Sequence, residues 1–369
     1  MTAVDESTQE VTGAVTGAVT GRVFESLLGA LELATVYLGV RLGLYAALAA
    51  PRTAAGLAEA TGTDERYARE WLEQQAIAGL VTVVDDGDAA GRVYGLDAEQ
   101  SATFGDDESP LYAGAMALLV GGLAEVMTRL PDTYRTGQGI PFGAYGDDVR
   151  IGQALFNRAG WRDQLAQEWV PALPGVGELL SRAGARAVDL GCGTGFSSVA
   201  LATAYPDLQV LGVDSDDASV MDARENAEAA GVADRVRFEV ADADTPLDWS
   251  SDGGSYDVAF YLEALHDMAH PVESLAAVRA ALRPGGVVVV VDERAEEEFA
   301  AGGSDVERLL AASSVLHCLP VGRSQEGSAA TGALFRPSTM REYAARAGYA
   351  EVEIAPIEHD VFRFFVLRP

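Results

Sequence analysis

From Ala185 onward, short apolar runs alternate with segments of helical spacing. The runs cover residues 187–190, 209–213, 236–240, 256–261, 286–291, 351–355 and 361–367, each of strand length. Strand-like runs alternating with helix-like segments predict a parallel α/β sheet. The last two runs, joined by Pro356 to Asp360, are spaced as a closing antiparallel hairpin. Upstream the period changes. Leu27, Leu31, Ala34, Leu38 and Leu42 recur at helical spacing. Thr53 can cap a helix that runs to about Ala60 and stops at Gly62, and Asp64 can cap the next. That second helix carries Tyr67, Trp71, Leu72, Gln75 and Ile77. Residues 80–84, a turn at Asp85-Asp86-Gly87-Asp88 and residues 92–96 predict a two-stranded hairpin. Helices followed by such a hairpin spell a winged helix.

The expected organisation is therefore a frayed tail over 1–20, a winged-helix domain over 21–105, a helical linker or substrate lid over 106–182, and an α/β domain over 183–369. The linker includes a Gly/Pro-rich stretch over 137–145, and the tail a short Thr-Gly-Ala-Val repeat.

No uninterrupted apolar run reaches the roughly 18 residues of a membrane span. The N-terminus lacks a basic stretch followed by an apolar one, so no secretory signal is read. Cys192 and Cys318 offer neither a disulfide framework nor a zinc cluster. A cytoplasmic location without membrane attachment is expected.

The formal net charge is −30, and all 26 basic residues are arginine. Such charge repels polyanions and strains a fold at low salt. Molar salt shortens the Debye length to about 3 Å and relieves that strain. A GC-rich genome would explain arginine in place of lysine but not the excess acid, so a halophilic host is expected. The charge also bears on the winged helix. Residues 41–100 hold five arginines against ten acids. Phosphate neutralisation dominates DNA affinity, so no nucleic-acid partner is expected.

The chemistry centres on Ala187-Val-Asp-Leu-Gly-Cys-Gly-Thr-Gly-Phe-Ser-Ser198, at the end of the first strand of the sheet. Open α/β sheets bind ligands there. The dinucleotide fingerprint G-x-G-x-x-G fails in either frame, and a P-loop needs a lysine. What fits is Asp189-x-Gly191-x-Gly193-x-Gly195, with glycines clearing Cβ atoms from the path of a bulky ligand. In this the chain resembles the class I S-adenosylmethionine-dependent methyltransferases over 185–369, with their Rossmann-like seven-stranded domain. The resemblance implies S-adenosylmethionine as cofactor, S-adenosylhomocysteine as product, and cofactor contacts from Asp189, Gly191, Gly193 and Gly195. It further implies that Asp214, ending the second strand, grips the ribose, and that Asp242, after the third, meets the adenine amino group. Leu282-Arg-Pro-Gly-Gly286 stands at the family's turn before its fifth strand.

The winged helix, helical linker and sheet together resemble small-molecule O-methyltransferases that dimerise through the winged helix. This implies a small-molecule acceptor and a homodimer. Residues 314–320 and 329–332 resemble a bacterial and archaeal methyltransferase group more closely. The resemblance also implies a general base at His266, in Leu265-His266-Asp267 beyond the fourth strand; the alternative is a packing residue. Glu293 can orient His266 or meet substrate, and Asp267 can equally cap a helix. His317 beside Cys318 reads as a satisfied structural histidine. Tyr37, Phe142, Tyr145, Phe156 and Trp161 can form an apolar lid or pack in cores. His266 and His270 stand at i, i+4, but Pro271 disfavours helical geometry there, so no metal is expected. Two other functions share these features: non-methylating chemistry on the same fold, and a ligand-sensing winged-helix regulator.

Overall fold

The computed structural model describes residues 17–243 and 255–369. Most of the expected tail lies outside these, and Ala18 already begins a helix. The chain divides into two compact units. One holds the described residues through Gly122 together with Ile151–Phe156, and the other Leu123–Arg150 with Asn157–Pro369. The segment expected as a single linker is thus shared between the two.

The first unit contains helices α1 (Ala18–Arg41), α2 (Ala54–Thr61) and α3 (Glu65–Ile77), then the antiparallel pair β1 (Thr82–Asp85) and β2 (Val93–Gly95) and the first residues, through Gly122, of a later helix α4 (Gly114–Val126). Thr53 accepts from Gly56 N–H at the start of α2, Gly62 ends it in the left-handed region, and Asp64 caps α3. Ala68, Trp71, Leu72 and Gln75 turn inward from α3, whereas Tyr67 and Ile77 face solvent. Gly39 lets α1 cross this core, since a Cβ there would stand 2.4 Å from the Tyr45 ring and 2.6 Å from the Trp71 ring. Thr35 fixes the crossing: its carbonyl accepts from Trp71 Nε1 at 2.9 Å and its hydroxyl from Gln75 Nε2 at 2.9 Å.

The opposite face of α1 is different. Val23, Leu27, Leu31 and Leu38 are 47–64% exposed. Helical spacing predicts one buried stripe, but these leucines lie off it. By length and composition α1 can also cross a membrane, the one such helix among the described residues. Arg22, Glu25 and Glu32 break its apolar run, which is why continuous hydropathy does not reveal it.

The second unit is built on a seven-stranded sheet. Its strands are β3 (Arg186–Leu190), β4 (Gln209–Asp214), β5 (Val236–Val240), β6 (Tyr256–Leu262), β7 (Leu282–Glu293), β8 (Glu351–Ile354) and β9 (Phe362–Arg368). The order is β5-β4-β3-β6-β7-β9-β8, parallel through β7 and antiparallel for β9 and β8. In β7, Val287, Val289 and Val291 enter one core layer while Val288 and Val290 enter the other. A parallel strand covered on both faces therefore reads as an unbroken apolar run. The strand order reverses between β3 and β6, so a crevice opens beyond their carboxyl ends.

Candidate active site

Beyond β3 the backbone turns through Gly191, Gly193 and Gly195, with φ of 75°, 50° and 76°. All three lie in the left-handed region that favours glycine. Their surroundings differ, which corrects the expectation that all three clear space for a ligand. A Cβ on Gly191 would stand 2.5 Å from Ala264 Cβ, and one on Gly195 would stand 2.6 Å from the Phe238 ring. Those two glycines serve close packing. Only at Gly193 would a Cβ meet nothing within 4 Å.

Asp189 does not face that opening. It is fully buried, and its Oδ2 accepts from Ser197 Oγ at 2.6 Å and Ser198 Oγ at 2.7 Å. It thereby ties β3 to the first turn of helix α5 (Phe196–Ala204). Burial pushes its carboxyl up to about 6 against the pull of the two hydroxyls. Asp214, the last residue of β4, accepts from Gly193 N–H at 2.8 Å and from Asp216 N–H at 2.8 Å. Burial raises its pKa and those amides lower it, with burial prevailing. The carboxylate at the end of one strand thus holds the open glycine of the neighbouring loop. Asp242, just after β5, accepts from Gln325 Nε2 at 2.9 Å. Gln325 also lines a cavity of about 700 Å³ walled by residues 137–141 and 323–328.

A second cluster grows from β6 and β7. Beyond Leu262, Glu263 adopts φ 56°, a left-handed conformation costly for a residue with a Cβ. One turn of 3-10 helix, Leu265–Asp267, then carries His266 into the interior, where it is 2% exposed. The neighbouring strand β7 ends in Asp292 and Glu293, both buried. His266 Nδ1 lies 2.8 Å from Asp292 Oδ1 and 2.9 Å from Glu293 Oε2. On the other side of the ring, Nε2 lies 3.3 Å from Asp267 Oδ1. Glu263 accepts from Asn157 Nδ2.

Burial works against charge on His266, but Asp267, Glu293 and Asp292 together outweigh it and raise its pKa well above the ordinary range. Burial also disfavours charge on Asp292, yet His266 and the hydrogen bonds around Asp292 hold it low. Burial raises Glu293 well above the usual carboxylate range and Glu263 to about 7. The cluster thus sets His266 and Asp292, whose mutual attraction favours charge on both, beside two carboxyls on which burial disfavours it.

Glu293 stands where it can orient His266. Asp292, its closer partner, was not read from the sequence, nor was Glu263. The signal for Asp292 is an acid directly after a run of five valines, within the same buried strand. His317 is buried but not satisfied, because its Nε2 has no hydrogen-bond partner. Phe142 and Tyr145 pack edge-on to its ring, with centroids 5.9 and 4.6 Å away. Trp161 belongs to the sheet core, stacked on Phe362, and Tyr37 packs in the first unit's core.

Residues 181–334 match the Methyltransferase domain family, and residues 29–105 match the Rv2258c-like winged HTH domain. A 27-O-demethylrifamycin SV methyltransferase of Amycolatopsis mediterranei is 36% identical over 134 residues, 36% of this chain and 48% of that protein. A trans-aconitate 2-methyltransferase of Variovorax paradoxus is 36% identical over 115 residues, 30% of this chain and 41% of that protein. The matches thus span less than half the length of these curated relatives. Among solved structures, human N-acetylserotonin methyltransferase in complex with S-adenosylmethionine superposes with TM-score 0.71 at 17% identity, covering 95% of this chain and 98% of that one. An O-methyltransferase family protein from Burkholderia thailandensis gives 0.70 at 19% identity, covering 95% and 98%. Residues 181–334 are thus a methyltransferase domain and residues 29–105 a winged-helix domain, and the seven-stranded sheet between β3 and β9 gives the chain the fold of its methyltransferase neighbours.

Proposed function

We propose that this protein transfers a methyl group from S-adenosylmethionine to a hydroxyl of a small molecule, with His266 as the general base. The observation that carries the reading is the open space over Gly193, whose N–H is held by the Asp214 carboxylate. These residues fit the cofactor: a bare backbone admits the nucleoside, and an acid at the end of β4 can accept from ribose hydroxyls. Asp242 and its Gln325 partner are assigned to the adenine edge. The bound cofactor supplies the electrophilic methyl group.

The rest falls to the chain. His266 sits with Nδ1 on Asp292, which fixes the ring so that Nε2 faces the acceptor and takes its proton. A pKa raised above the ordinary value brings the base closer to a phenol's, about 10, so the proton moves less far uphill. Phe142 and Tyr145, beside His317, are assigned to the wall against which an aromatic acceptor packs. The exposed apolar face of α1 is assigned to a second copy of the chain, giving a homodimer in a cytoplasmic, salt-rich setting.

A metabolite screen in high salt with methyl-labelled S-adenosylmethionine tests the reading. Labelled methyl ether and S-adenosylhomocysteine in equal amounts are expected. Cofactor consumed without a labelled product would point instead to non-methylating chemistry on this fold.

A further inference from the structure

The same end of the sheet gathers a second set of side chains whose chemistry differs from that of a base alone. His266 Nε2, Asp267 Oδ1 and Cys318 Sγ all lie within 4.8 Å of one another. Nitrogen, oxygen and sulfur donors in one cluster match the preferences of zinc. The edge from Nε2 to Oδ1 is 3.3 Å. A tetrahedral zinc ion bound to nitrogen and oxygen at roughly 2.0–2.2 Å sets such an edge at about 3.3–3.6 Å.

One further feature points to an ion there. Asp267 Oδ1 is buried without a hydrogen-bond partner, although Nε2 stands beside it. Nδ1 is turned to Asp292, so Nε2 is the ring nitrogen that faces that oxygen, and a cation between the two would satisfy both in place of a proton. Asp292 on Nδ1 is also the partner that metal-ligating histidines require, a carboxylate that fixes the ring and raises its basicity. The alternative trio of His266, Asp292 and Glu293 serves less well, because Nδ1 is already committed to Asp292.

We infer that His266, Asp267 and Cys318 form a three-ligand site for a zinc-like divalent cation, with the fourth position open. The inference rests on this geometry and not on the methyl-transfer reading, although the two meet at Nε2. Binding releases the thiol proton of Cys318. A loaded ion holds the lone pair that the base step needs, so loading slows turnover and a chelator restores it.

The test is calorimetric titration of chelator-treated full-length protein with zinc sulfate, alongside cobalt substitution. One ion per chain and a thiolate-to-cobalt charge-transfer band are expected. Cys318→Ser should abolish the band and weaken zinc binding about tenfold or more, and Asp267→Asn should weaken it similarly. S-adenosylhomocysteine binding in the same samples reports that each variant is folded. Folded wild type that takes up no zinc, or a folded Cys318→Ser that binds it unchanged, would overturn the site and leave the methyltransferase reading standing. Zinc bound as expected by a wild type that ignores S-adenosylhomocysteine would do the reverse.

Discussion

His266 Nδ1 lies 2.8 Å from Asp292 Oδ1, at the adjoining carboxyl ends of two parallel strands. The sheet register makes the contact. Leu262, the last residue of β6, pairs with Val291, so His266 beyond β6 and Asp292 near the end of β7 are neighbours in space although 26 positions apart in sequence. One strand contributes the base through a single 3-10 turn, and the next contributes its orienting acid.

The first prediction concerns pH. The active form of His266 is the deprotonated one, and its carboxylates raise its pKa above the ordinary value. In wild type, kcat/KM should therefore rise through a limb above the unperturbed histidine value of about 6.5. Asp292→Asn removes one negative charge, so the limb should move to lower pH while the maximal rate falls. A pH–rate profile on both proteins checks this, and an unmoved limb would remove Asp292 from the account.

The glycines of the loop should separate into two kinds. Gly195→Ala places a Cβ at positive φ and 2.6 Å from the Phe238 ring. A left-handed alanine costs roughly 1–2 kcal/mol and overpacking about 1–3 more, so the fold should lose about 2–5 kcal/mol. Gly193→Ala meets open space, and its loss should stay near the left-handed cost of about 1–2 kcal/mol. It should instead weaken S-adenosylhomocysteine by about tenfold or more, on the order of 1.4 kcal/mol. Chemical denaturation and calorimetry on the two variants decide between these patterns.

The exposed face of α1 should be an interface between copies. Leu27→Glu with Leu31→Glu puts charge into a face that is 54–59% exposed at those leucines in the single chain. Sedimentation should show a dimer for wild type and a monomer for the double variant, with the monomer's far-ultraviolet spectrum unchanged. A wild type that sediments as a monomer, or that partitions onto vesicles, would assign the face elsewhere.

A net charge of −30 should make stability depend on salt. Raising potassium chloride from low to molar concentration screens the repulsion and should raise the melting temperature. A melting temperature indifferent to salt would remove the halophilic reading.

The strands were legible because β7 is covered on both faces, so burial wrote an unbroken valine run into the sequence. The caps at Thr53 and Asp64 were legible because their side chains act within three residues. Asp292 was not, because its meaning depends on strand order, which periodicity does not carry. The packing role of Gly191 and Gly195 was hidden for the same reason: Ala264 and Phe238 are distant in sequence. The leucine stripe of α1 was read as a helix but not as an outer face, since a core and an interface share one spacing.

The central claim is that the space over Gly193, bounded by Asp214, seats a nucleoside. Calorimetric titration of S-adenosylhomocysteine into wild type and Asp214→Ala tests it most directly. The account predicts saturable one-to-one binding by wild type, weakened about tenfold or more in the variant, on the order of 1.4 kcal/mol. Equal affinity in the two proteins, or no binding by folded wild type, would contradict it.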